Sequence, residues 1–298
     1  MSIYETVTQR ILTQLEAGHV PWHKPWTAGV PKSFTTAKEY RGVNVLMLAS
    51  SGFTSRYWVT YREALRLGGH VRQGERATPV IYWKWRTQEE MRKLAERTKG
   101  DIAPCVPFGS CVFNLDQVEG VARPEDDVTP DHDRRLILAD TLLTTMPDRP
   151  QIEHQHLETP HYSPLRDCVT LPHLSQFENA EAYYSVLYHE LTHASGHPRR
   201  LNRFDLAAAD RLQGYSFEEL VAEFGAAFLC AFTGITRPEQ QTQHAGYIEG
   251  WARVFRGDSR VILRAASAAQ RAADYIRGKR PAEETSPLAE TEAETIHV

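Results

Sequence analysis

Three residues in the run YHELTHASGH, Tyr188 to His197, have the types and spacing for metal chemistry. His189 and His193 are four apart, so on a helix their imidazoles stack one turn apart and reach a single ion. Glu190 stands between them, and in a helix of HExxH pattern that carboxylate activates the water that attacks a carbonyl. The expected cofactor is one divalent ion, zinc first and manganese as the alternative. Zinc in a catalytic site takes three protein ligands and keeps the fourth position open, so a third ligand must come from elsewhere.

The metzincin pattern would place that ligand at a histidine shortly after the motif. Gly196 is in place for it, but the histidine position holds Arg199, whose guanidinium cannot bind zinc. His197 lies too close along the chain, unless the helix ends abruptly there. A downstream carboxylate remains. The run EELVAE offers Glu218, Glu219 and Glu223; the last two share a helix face, and Glu218 points about a third of a turn away. Leu220, Phe224, Ala227 and Phe228 would bury this helix against the HExxH helix, and a carboxylate in such a stripe needs a partner. Glu219 is the expected ligand and Glu223 the acceptor for a histidine N–H, with the two roles exchangeable on spacing alone.

HELTH followed by ExxAE resembles the HExxH…ExxA[DN] arrangement of gluzincin-type metallopeptidases, with Glu223 where many of those carry Asp or Asn. The resemblance implies an active-site helix, a glutamate helix and a small sheet whose edge strand takes extended peptide. SPLRDCVTLP is the candidate for that edge.

The first half of the chain has a different chemistry. VPWHKPW, YRGVN, SRYWVTYREA, LGGHVRQGER and TPVIYWKW crowd aromatic rings among cations. Single-stranded nucleic acid suits such a surface, with bases on the rings and Lys and Arg along the phosphates. In YWKW, alternation separates Trp83 and Trp85 from Tyr82 and Lys84, and the Lys84 face is the expected surface.

These motifs, in this order, resemble the N-terminal domain of ArdC-type antirestriction proteins, shared with some conjugative primases. YHELTHASGHPRRL after FENAEAYY is similar to the second half of the same family. The resemblance implies a plasmid-encoded cytoplasmic protein that binds single-stranded DNA and protects incoming DNA from host restriction during conjugation. It implies Trp22, Trp26, Tyr40, Arg41, Asn44, Arg56, Tyr57, Trp58 and Lys84 as the DNA-binding positions, and His189, Glu190 and His193 as the metal motif. The partners expected are single-stranded DNA and a host restriction-related protein, with no membrane. Two other functions fit the same residues: a DNA-coating protein whose metal site is structural or idle, and a peptidase for DNA–protein crosslinks, similar in outline to SprT-like enzymes.

The elements that position these groups follow from periodicity. Ile3 to Ala17 reads as an amphipathic helix, TPVIYWKW and CVFNLDQV as strands, and Thr87 to Lys99 as a charged helix or insertion. Downstream, Arg134 to Met146 reads as a helix, QIEHQ and HYSPLRDCVTLP as strands, and SQFENAEAYYSVLYHELTHASG as the long motif helix. A second long helix is expected from Ser216 as N-cap, with Glu219 in the capping-box position, and further helices over Gln241–Phe255 and Ser259–Arg277. The fold class is α+β in two domains: an α+β single-strand-DNA-binding domain over residues 1–123 and a mainly helical, gluzincin-like metallopeptidase domain with a small sheet over 134–279. Residues 124–133 are the expected linker and 280–298 an acidic, disordered tail.

Charge divides along the same boundary. Residues 1–123 carry 17 Lys and Arg against 11 Asp and Glu; the remainder carries 17 against 27. One half is thus suited to a polyanion and the other is not. No apolar run is long enough to span a bilayer, and the first twenty residues lack the layout of a signal peptide. The four cysteines form no CxxC pair and suit a reducing compartment.

Overall fold

The computed structural model describes residues 2–22, 29–97, 105–128, 130–204, 211–236 and 245–279, and it is a two-domain α+β protein. The first half contains α1 (Ile3–Glu16), β1 (Lys32–Ser33), α2 (Val43–Ala49), β2 (Tyr57–Val59), α3 (Tyr61–Arg66), β3 (His70–Val71), β4 (Thr78–Trp85), α4 (Gln88–Arg97), β5 (Cys105–Asn114) and β6 (Val118–Glu119). The second contains α5 (His132–Thr145), β7 (Gln151–Gln155), β8 (His161–Ser163), β9 (Cys168–Pro172), α6 (Ala180–Ala194), α7 (Arg211–Thr233), α8 (Ala245–Gly257) and α9 (Val261–Ile276).

Local chemistry sets the starts of these helices. Ser2 and Glu5 form a capping box on α1, and Thr60 and Glu63 form one on α3, each satisfying amides that the first helical turn leaves open. Asn179 caps α6 by accepting from the Ala182 N–H, so the motif helix begins at Ala180, later than its apolar pattern suggests. The expected cap at Ser216 is a correction: α7 runs continuously from Arg211, so Ser216 is inside the helix. The expected tail at 280–298 lies outside the described residues.

Strand order in the first half is β1-β2-β5-β4, with β1 parallel to β2 and the other neighbours antiparallel. Strand β4 is at the edge. Its backbone at Ile81 is closed by the Asn44 side chain, whose Nδ2 donates to the Ile81 carbonyl at 2.7 Å while Oδ1 accepts the Ile81 N–H at 2.8 Å. One carboxamide thereby supplies what a further strand would.

The second half has a three-stranded sheet, β7-β9-β8, with β7 parallel and β8 antiparallel to β9. HYSPLRDCVTLP is therefore a hairpin of two strands, turned at Asp167 with φ 48°. This corrects the expected peptide-binding edge: β9 is the central strand, already paired on both sides, and every one of its residues is buried.

The main core crosses the division between the halves. Val7, Ile11 and Leu15 of α1, Trp22, and Val45 and Leu46 of α2 join Leu187 and Leu191 of α6, Phe224 of α7, Phe255 of α8 and Ile262 of α9. The small first-half sheet cannot cover the apolar stripe of α1, and the helices of the second half do so. Polar contacts reinforce the joint. Arg41 pairs with Asp274, the Gly42 N–H donates to Gln270 Oε1 at 2.9 Å, and Glu39 accepts from Arg277 and Lys279. The expected linker is also tied down: Asp127 accepts from Ser55 Oγ at 2.5 Å and from the Arg56 N–H at 3.0 Å.

Candidate metal centre

Helices α6 and α7 pack face to face, and their contact brings His189, His193 and Glu219 together. The two Nε2 atoms are 3.1 Å apart. Glu219 places Oε2 3.5 Å from His189 Nε2 and Oε1 3.5 Å from His193 Nε2. A tetrahedral ion with bonds of about 2.0–2.1 Å has donor–donor edges of about 3.3–3.4 Å; the two contacts to Glu219 end on different oxygens, and one ligand atom from each of the three residues lies within 4.8 Å of the others, close enough for a shared ion. Among the described residues, this is the group of His, Cys, Asp and Glu side chains that can converge on one ion. The donor set, two imidazoles and a carboxylate, suits zinc and manganese alike.

Each imidazole is also approached from its far side. His193 Nδ1 is 3.3 Å from Glu218 Oε1, a contact that puts the ring proton on Nδ1 and leaves Nε2 a lone pair for metal. Glu218 is held by a buried guanidinium: Arg203 Nε donates to Oε2 at 2.8 Å and Nη2 to Oε1 at 2.6 Å. The same arginine donates to the Thr192 carbonyl at 2.7 Å and to Ser195 Oγ at 3.1 Å, and so also fastens the end of α6. Glu223 Oε1 lies 3.9 Å from His189 Nδ1, within ion-pair reach and beyond hydrogen-bond length. Glu190 is buried on α6 beside both histidines.

Charge inside the cluster is arranged to match. Burial alone would raise the Glu218 pKa, but its bonds to Arg203 and His193 and their charges lower it. Burial opposes ionisation of Glu219 too, and the bond from His189 with the charges of both histidines lowers its pKa. At His189, burial favours the neutral ring; the bond to Glu219 and the charges of Glu223, Glu190 and Glu219 outweigh it and raise the pKa. A cation is what this cluster attracts.

Sequence reasoning missed Glu218 and Arg203. It read the direction of Glu218 correctly, but what lies in that direction is the Nδ1 edge of His193. The usable signal was that each ligand imidazole needs an acceptor on its second nitrogen. Arg200 belongs to the frame: its side chain is 1% exposed and donates to the Ala194 carbonyl at 2.7 Å while pairing with Asp167.

Five of the nine expected DNA-binding positions, Trp22, Tyr40, Asn44, Tyr57 and Trp58, are buried. Trp22 is 0% exposed and packs edge-on against Phe224, Trp251 and Phe255, so no base can stack on it. Tyr57 and Trp58 are buried residues of β2, and Tyr40 is buried in the same core cluster as Trp58. Asn44 is buried and committed to Ile81. Arg41 is engaged with Asp274, and Arg56 with Asp126. Lys84 is exposed, 3.8 Å from Glu90. Trp26 lies outside the described residues.

Relatives place this arrangement. Residues 1–113 match the N-terminal domain of anti-restriction factor ArdC, and residues 140–268 match a zincin-like metallopeptidase family. The metal-free crystal structure of the antirestriction ArdC protein from plasmid R388 is 36% identical, with a TM-score of 0.74 over 93% of this chain and 97% of that one. This chain belongs to the ArdC antirestriction family. The Mn(II)-bound structure of the R388 ArdC protein is 33% identical, with a TM-score of 0.71 and the same coverage. Protein y4eC of Sinorhizobium fredii (strain NBRC 101917 / NGR234), uncharacterized, is 36% identical over 92% of this chain and 91% of its own length. Two proteins named DNA primase TraC, both from Escherichia coli, are 35% and 34% identical over 92% of this chain. The chain spans 27% and 20% of their respective lengths, so the ArdC-like unit is also part of larger proteins.

Proposed function

We propose that this ArdC-family chain binds single-stranded DNA through its first half and is a divalent-metal peptidase in its second, acting in the cytoplasm to protect incoming DNA from restriction during conjugation. The observation that carries the enzymatic reading is the convergence of His189, His193 and Glu219, the two Nε2 atoms 3.1 Å apart and each 3.5 Å from one oxygen of the Glu219 carboxylate. Family membership carries the antirestriction role. No helix among the described residues is long and apolar enough to cross a membrane.

An ion held by these three side chains would polarise a substrate carbonyl and acidify water beside it. The protein's own groups do the rest. Glu190 accepts a proton from the attacking water and returns it to the leaving amine, the role of a carboxylate between two ligand histidines. Glu218 and Arg203 keep His193 in the tautomer that offers Nε2. The substrate proposed is a host protein that engages the transferred strand, brought near by the DNA-binding half.

Replacing Glu190 by alanine tests the enzymatic reading, since both histidines and Glu219 remain. The expected result is normal metal content and DNA binding with loss of restriction protection in conjugation. Full protection by Glu190→Ala overturns the peptidase and leaves a DNA-coating protein with a structural ion.

A further inference from the structure

We infer that the outer half of the β4–β5 ribbon is the base-stacking platform for single-stranded DNA, with Tyr82 and Phe108 as a paired ledge, Trp83 on the opposite face and Lys84 as a phosphate contact. The inference rests on the proposed DNA binding and says where it occurs.

Of the rings expected to stack, Trp22, Tyr40, Tyr57 and Trp58 are in the core, and other rings are left in water. Among the described residues, the exposed large aromatic side chains are Tyr61 (53%), Tyr82 (37%), Trp83 (44%) and Phe108 (48%), all in the first half. Three of the four are on one ribbon. The strand register pairs Tyr82 with Phe108, Trp83 with Pro107 and Lys84 with Val106. The inner part of the ribbon is anchored, because Val80, Ile81 and Val112 are buried; from Tyr82 outward the strand leaves the core. Successive residues Tyr82 and Trp83 point to opposite faces, and both are exposed, so this end of the ribbon has two open sides.

The ledge is organised. The Tyr82 and Phe108 rings stack with centroids 5.5 Å apart and planes at 27°. Lys84 follows two residues later on the same face. From Lys84 to Arg97 the chain carries five Lys and Arg against three Glu, within a half that carries 17 against 11. Flat apolar rings beside excess positive charge suit a ligand that is both aromatic and anionic. Unpaired DNA qualifies; a duplex hides its base faces, and an acidic peptide has no faces to stack.

The test is a fluorescence-anisotropy titration of an oligo(dT) probe with the full chain. Tyr82→Ala with Phe108→Ala is expected to weaken binding at least about tenfold, with the salt slope kept, as loss of base stacking requires. Lys84→Ala is expected to lower the salt slope by about 0.7, the increment for one single-strand phosphate contact. Tyr82→Phe should retain most of the affinity. Unchanged affinity in the double variant overturns the platform while leaving DNA binding intact; absence of oligo(dT) binding by the unmutated protein overturns both. Should the double variant lose its thermal transition, ultraviolet cross-linking of oligo(dT) to the unmutated protein decides. Adducts mapped to residues 82–84 or 106–108 support the platform, and adducts confined elsewhere overturn it.

Discussion

A Cβ built on Gly225 would lie 2.4 Å from Cγ2 and 2.6 Å from Oγ1 of Thr192. Non-bonded contacts of real Cβ atoms essentially never fall below 3.0 Å, so helix α7 approaches α6 here more closely than a side chain at position 225 allows, one residue from His193 and two from Glu223. The contact sets the gap across which Glu219 reaches the histidines.

Gly225→Ala is therefore expected to separate the helices, costing about 1–3 kcal/mol as overpacking does and weakening metal binding more than tenfold. Thr192→Ala removes the two shortest contacts and should restore part of both losses in the double variant. Denaturant unfolding and a zinc titration measure the pair; a Gly225→Ala protein with unchanged metal affinity would show that the approach does not position the ligands.

Arg203 and Glu218 form a buried ion pair whose members fail differently. Glu218→Gln keeps the size and one acceptor but leaves the buried Arg203 guanidinium with only the Thr192 carbonyl and Ser195 Oγ, and should weaken metal binding about 10–100-fold while also lowering stability by about 1–3 kcal/mol. Arg203→Met strands Glu218 as a buried charge and should cost about 3–5 kcal/mol. Arg203→Lys should recover only part, since an ammonium cannot reproduce the two-pronged contact. Metal affinity and urea midpoints for the three variants check the ordering.

Trp22 anchors the first half in the core of the second. Trp22→Ala should cost about 3–5 kcal/mol. DNA affinity of the folded fraction should stay at the unmutated value. A stable Trp22→Ala protein that no longer binds DNA would return this ring to the interface.

Glu39 ties the two halves electrostatically, accepting from Arg277 at 3.2 Å and Lys279 at 3.0 Å. Burial would raise its pKa, but those two cations lower it from 4.5 to about 2. A carboxyl with a depressed folded pKa stabilises fully above its unfolded pKa and loses that contribution as pH falls through the folded value. The window here runs from 4.5 down to about 2. Allowing for solvent screening, the contribution is about 1–2 kcal/mol. Glu39→Gln should be less stable than the parent at neutral pH, and the gap in urea midpoint should close across that window.

How much of this was legible depended on the range of the interaction. His189, Glu190 and His193 were readable because one turn of helix fixes their relation, and the span of β4 because alternation and β-forming residues agree over eight positions. Trp22 and Trp58 were not, because an aromatic among cations reads alike whether a distant helix covers it or not. Arg203 was hidden because its partner is 15 residues away across a packed interface. The mistaken edge strand came from a missed turn at Asp167, whose left-handed backbone splits one apparent strand into two.

The central claim is that one ion is held by side chains of two helices. Anomalous scattering from crystals of the zinc- or manganese-loaded protein tests it most directly. The account predicts a single strong peak about 2.0–2.2 Å from Nε2 of His189, Nε2 of His193 and one oxygen of Glu219. A peak bound to Glu223 instead of Glu219, or no peak between α6 and α7, would contradict it.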